Sequence, residues 1–116
     1  MVYIEKQFVL AAVLATSLSN PAQAMTGNQL HQKCSHNDSF YQAQCFNYVM
    51  GVVDAATEVF YSLSQQHLCL PETATAGQIE SVVKKYLQEH PEHRHLNGAV
   101  LTFTALILAF PCKGGQ

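Results

Sequence analysis

Apolar residues recur at helical spacing along most of the chain. Between about Phe40 and Ser64, Cys45, Val49, Val52, Ala56, Val59 and Leu63 repeat at alternating spacings of four and three. A polar stripe of Asn47, Asp54, Glu58, Ser62 and Gln65 lies opposite them. That period predicts a long amphipathic helix. A second apolar line, Phe46, Met50, Val53 and Phe60, widens its buried arc. From about Ala76 to Glu89 the pattern repeats, with Ile79, Val82, Val83 and Tyr86 inward and Glu80, Lys84, Lys85 and Gln88 outward, until Pro91 stops the helix. A shorter helix, about Gly27 to Cys34, places Leu30 and Cys34 on one face. The last, about Leu96 to Phe110, has no polar face, and its two threonines can be satisfied within the helix. Its apolar stretch is too short to cross a bilayer, which takes about 20 residues. A helix apolar on every side has to be covered on every side. Either it is the central helix, or it and the second line of the long helix are covered by another copy of the chain, which predicts a homodimer.

The helix starts carry their own signals. Thr26 with Gln29, Ser39 with Gln42 and Thr75 with Gln78 each fit a capping box. In that motif the hydroxyl accepts from the amide three residues on, and the Gln side chain reaches back to the cap amide. Met25 and Leu30 flank the first box as a hydrophobic staple would.

The first 24 residues stand apart. A short head with Lys6 precedes an apolar run from Phe8 to Leu18, interrupted only by Thr16 and Ser17, and Pro21, Ala22, Gln23 and Ala24 follow. This is the layout of a signal peptide cleaved after Ala24, with small residues at the two positions a signal peptidase reads. It leaves one domain over residues 25–116 and predicts export. Met25 and not a cysteine stands immediately after the cleavage point, so no lipid anchor is expected.

The remaining domain holds Lys33, Lys84, Lys85, Arg94 and Lys113 against seven carboxylates, a net charge of −2. Nucleic-acid binding would demand a basic stripe, and a membrane surface a cationic amphipathic face. All four cysteines, Cys34, Cys45, Cys69 and Cys112, fall in this part, with no C-x-x-C pair. In a short exported chain an even count predicts a disulfide framework. Short connections make successive helices antiparallel. Cys34 and Cys45 then share one end of the bundle and Cys69 and Cys112 the other, which favours those two pairings. The fold class expected is all-α, a small disulfide-braced bundle of about four helices.

Candidate chemistry is sparse. The sequence holds no nucleophile elbow, zinc-protease motif, phosphate loop or dinucleotide turn. Asp54 and Glu58 read as part of a solvated stripe. No catalytic residue, cofactor or metal is assigned. One cluster stands out, His90, Pro91, Glu92, His93, Arg94 and His95, between the last two helices. Three imidazoles so close could bind a metal ion, titrate together near neutral pH, or simply sit in an exposed polar loop. A Pro-stiffened connection between rigid helices is also suited to recognition. On that reading His90, Glu92, His93, Arg94 and His95 are the candidate partner-binding residues. The loop at Ser35–Ser39 and the approach to the third helix at Glu72–Thr75 are the competing surfaces.

Three stretches resemble a known family: Thr26 to Cys34 (TGNQLHQKC), Cys45 to Ala55 (CFNYVMGVVDA), and Cys69-Leu-Pro through Thr75-Ala-Gly-Gln-Ile to Phe110-Pro-Cys112. Together they look like the Rap1a/Tai-type immunity proteins of bacterial type VI secretion. The resemblance implies an exported helical domain, commonly dimeric, that binds and blocks a secreted peptidoglycan amidase in the periplasm. It implies structural roles for the four cysteines and no catalytic residue. A different reading of the same residues is a small periplasmic acid-stress chaperone, whose six histidines could loosen an apolar interface near pH 6.

Overall fold

The fold is described from a computed structural model over residues 23–62 and 68–113, with the backbone alone for 60–62. The signal-peptide reading of residues 1–24 falls almost wholly outside that range, as do Leu63 and Gln65 of the expected long helix. Four helices follow in order: α1 (Gly27–Cys34), α2 (Ser39–Ser62), α3 (Ala76–Glu89) and α4 (Gly98–Ala109). A 3₁₀ turn over Pro91–His93 lies between the last two. Among the described residues there is no strand, only an isolated antiparallel bridge between Thr26 and Asn97. The architecture is the expected all-α bundle.

Two of the three capping boxes form as expected. The Thr26 hydroxyl accepts from Gln29 N at 3.2 Å while the Gln29 side chain accepts from Thr26 N at 2.9 Å. The same reciprocal pair links Thr75 and Gln78, at 3.1 and 2.8 Å. The third does not form. Asp38 caps α2 instead, its carboxylate accepting from Phe40 N at 2.8 Å and its carbonyl from Gln42 N at 3.0 Å. The Gln42 side chain has a different task. Its amide donates to the carbonyls of Cys34 and His36 at the end of α1, and its oxygen accepts from Lys84 Nζ at 2.9 Å. α4 begins two residues later than expected, where the Asn97 side chain accepts from Ala99 N and Val100 N.

The core is one cluster drawn from every helix: Leu30 and Cys34 of α1, Cys45, Val49 and Val53 of α2, Ile79, Val83 and Leu87 of α3, and Leu101, Ala105 and Leu106 of α4. Each large aliphatic side chain buried there contributes about 1.5–3 kcal/mol. Three expectations are corrected. On α2 Cys45, Val49 and Ala56 of the first line and Val53 of the second are buried as expected, but Val59 is half exposed. On α3 Leu87 is buried, whereas Val82 and Tyr86 only flank the core. On α4 burial is one-sided, because Leu101, Thr102, Ala105 and Leu106 face inward while Val100 and Leu108 are 56% and 66% exposed. The buried Thr102 hydroxyl donates to Gly98 O at 2.8 Å, so the helix does satisfy it internally.

Both expected disulfides are present, Cys34–Cys45 and Cys69–Cys112, with Cα separations of 5.0 and 5.1 Å. The start of α1 is sewn to the approach to α4. Gly27 N donates to Leu96 O at 2.8 Å, Asn28 N to Arg94 O at 2.7 Å and Gly98 N to Met25 O at 2.8 Å. The approach is so close that a Cβ on Gly27 would lie 2.8 Å from Arg94 O and 2.9 Å from its Cα. Only glycine fits there.

Candidate functional site

The segment from His90 to His95 is shaped by two neighbours in sequence. Pro91 cannot continue α3, so His90 leaves the helix with φ −123° and ψ 61° while its N–H still reaches Tyr86 O. The chain then closes a 3₁₀ turn, with His93 N on His90 O at 3.1 Å, Arg94 N on Pro91 O at 3.3 Å and Leu96 N on His93 O at 2.9 Å. A connection tied by backbone bonds at each step is preorganised.

Three rings line one side of it. The Tyr86 and His90 rings stack with centroids 4.1 Å apart, and the His90 and His93 rings lie nearly parallel at 5.6 Å. His90 Nδ1 lies 2.9 Å from Tyr86 O. A carbonyl can only accept, so Nδ1 carries a proton. His93 meets the Tyr86 hydroxyl through Nδ1 at 3.3 Å and stands 3.9 Å from Glu92 through Nε2. Among the described residues no three His, Cys, Asp or Glu side chains converge as metal ligands would.

Arg94 turns away from solvent to α3. Its Nε donates to Leu87 O at 2.5 Å and Nη2 to Gln88 O at 3.1 Å, which satisfies carbonyls the helix end leaves open. The guanidinium fork that the sequence offered for recognition is therefore largely spent within the chain. It also acts on its neighbour: partial burial, and then the positive charge of Arg94, hold the His31 imidazole below its ordinary value of 6.5. Glu92 and His95 are the exposed members of the set. The structure thus brings His90 and His93 together, assigns Arg94 to the helix end, and leaves Glu92 and His95 facing solvent. Tyr86 joins the stack although its sequence position marks it only as a core residue. Its spacing of four from His90 was the available signal.

A second surface lies along α2 and α4. Gly51, Val52, Ala55, Val59, Val100 and Phe103 line an open apolar groove of about 620 Å³, with Asn47 among its few polar contributors. Val59 and Val100 are half exposed, and a Cβ on Gly51 would meet no atom within 4 Å. A glycine inside a helix costs about 1 kcal/mol relative to alanine, and nothing among the described residues requires one at position 51.

The cysteines are paired, and the polar groups of the His90–His95 turn offer hydrogen bonds and stacking. No curated protein and no solved structure matches this chain. A family model for Rap1a immunity proteins does match, over residues 26–112. That span opens on the cap of α1 and closes on the cysteine that ties α4 back to the α2–α3 connection, so it takes in the whole bundle. The chain therefore belongs to the Rap1a immunity protein family, whose members neutralise toxins and are not enzymes.

Proposed function

We propose that this immunity protein acts in the periplasm, where it neutralises a peptidoglycan-hydrolysing toxin of the amidase type, delivered by type VI secretion, by occluding the toxin's active site. The observation that carries this reading is the family match across the entire disulfide-braced bundle. A signal-peptide layout ahead of Met25 and two disulfides both suit an oxidising compartment. Occlusion calls for a rigid element that loses little entropy on binding. The His90–His95 turn suits that role, with Glu92 and His95 exposed and His90, His93 and Arg94 holding its shape.

The working form on this reading is a homodimer. Its seam would be the α2–α4 groove, because the half-exposed Val59 and Val100 and the open space over Gly51 favour close approach of a second copy. The test is protection. Cells directing the cognate amidase effector to the periplasm should lyse, and coexpression of the full chain should prevent lysis. A chain lacking residues 1–24 should give no protection. Equal protection by the truncated chain would overturn the periplasmic placement.

A further inference from the structure

The Cys34–Cys45 disulfide closes a loop that contains the turn at residues 35–38 and the first turn of α2. That loop carries an aromatic corner. Phe40 is 63% exposed and Tyr41 38%, their rings edge to face at 5.5 Å. His36 packs against the Tyr41 ring at 4.3 Å, and Lys33 Nζ lies 5.5 Å from its centroid. Phe40 belongs to no part of the core cluster.

The mount is rigid. The disulfide joins both ends, Asp38 caps the helix start, and the Gln42 side chain ties that turn to the carbonyls of Cys34 and His36 and to Lys84. A large aromatic held this firmly and left in water gains little for the fold. Anchors at protein interfaces have the same two properties, aromatic area and low conformational entropy. Lys33 and Asp38 bring one charge of each sign to it, and His36 Nδ1 accepts from Asp38 N at 3.1 Å. The Asp38 carboxylate is occupied by Phe40 N–H at 2.8 Å. Among the described residues Lys33 is bonded to the neutral Gln44 and forms no ion pair.

We infer that the Phe40–Tyr41 corner is an anchor for the toxin, seated in an apolar pocket of that protein with a carboxylate at its rim to meet Lys33. The inference rests on the immunity reading and adds a contact surface to it that lies outside the His90–His95 turn. Aromatic anchoring supplies affinity, and the Lys33 ammonium supplies orientation.

The experiment is a calorimetric titration of the purified amidase effector against which the chain protects. The native chain, Phe40→Ala, Phe40→Tyr, Lys33→Glu and the double variant Glu92→Ala/His95→Ala are compared. Phe40→Ala should fold normally, because the side chain is exposed and alanine favours helix. Its affinity should fall at least thirtyfold, Phe40→Tyr should stay within threefold of native, and Lys33→Glu should lose more affinity at low salt than at high salt. Affinity of Phe40→Ala within threefold of native would overturn the anchor while leaving the immunity reading intact. So would a Phe40→Ala chain that loses its dimer by light scattering yet binds the effector as before, since the corner would then belong to a second copy. If the native chain does not bind the effector at all, the anchor and the reading both fall.

Discussion

The Arg94 side chain reaches back seven residues to the carbonyl of Leu87, its Nε donating at 2.5 Å. Leu87 is itself buried in the core, so this one bond ties the turn after α3 to the best-packed part of that helix. The Arg94 carbonyl in turn accepts from Asn28 N, which holds the start of α1 against the same turn. Arg94 is thus a joint between three elements, and only its remaining hydrogens are free for a partner.

Replacing Arg94 with Ala should lower stability by about 1.5–3 kcal/mol, the range for a charge-assisted hydrogen bond to a partly buried group. Arg94→Lys should recover less than half, because one ammonium cannot serve the Leu87 and Gln88 carbonyls with the same fork. Urea unfolding monitored by helical circular dichroism reads both. An Ala variant as stable as the native chain would contradict this role.

Stability should fall in acid through His31. Its value in the folded protein lies below the ordinary 6.5, mainly through burial and secondly through Arg94. Above about pH 6.5 the imidazole is neutral both folded and unfolded, and its contribution is fully present. As pH drops through 6.5 toward the lowered folded value, the unfolded chain takes up the proton first, so stability is lost across that window. Urea midpoints at pH 7.5 and pH 5 should therefore differ less in His31→Gln than in the native chain. Parallel pH profiles would rule out His31 as the source.

The two disulfides should contribute unequally. Cys69–Cys112 spans 43 residues and Cys34–Cys45 spans 11. Loop-closure entropy gives about 4 kcal/mol for the first and about 3 for the second. Cys69→Ala/Cys112→Ala should thus have the lower urea midpoint of the two double variants.

Gly27→Ala should destabilise by about 1–3 kcal/mol, since its methyl group would meet the Arg94 backbone, which cannot step aside like a flexible side chain. Thermal unfolding would show this, and the same change at Gly51, where the space is open, should raise the monomer's helical stability.

The proposed dimer seam predicts that Val100→Glu yields a folded monomer. The side chain is 56% exposed within the chain, so a carboxylate there is tolerated alone and disfavoured only beneath a second copy. Light scattering of native and variant chains at micromolar concentration decides it. Equal masses would remove the α2–α4 groove from consideration as the seam.

What the sequence by itself determined is local or set by chain order. The capping boxes at Thr26 and Thr75 need only residues three apart. The ends of α1 and α3 follow from periodicity and from Pro91. The disulfide pairing follows from four helices with short connections, because antiparallel order leaves Cys34 beside Cys45 and Cys69 beside Cys112. What only the tertiary structure decided depends on distant residues competing for the same group. Ser39 and Gln42 spell a capping box, yet Gln42 serves the carbonyls of Cys34 and His36 and the Lys84 ammonium, and Asp38 takes the cap. Val53 and Val59 are equivalent as apolar residues on α2, and the placement of the other helices buries one and exposes the other. In the candidate site the cluster of histidines was visible as composition, but its geometry was not. Arg94 bends to α3 because carbonyls at a helix end need donors, and the Tyr86 ring lies four residues from His90 to stack on it. The exposed Phe40 was invisible as a surface feature, since an apolar residue at a helix start reads as core until the packing shows that nothing covers it.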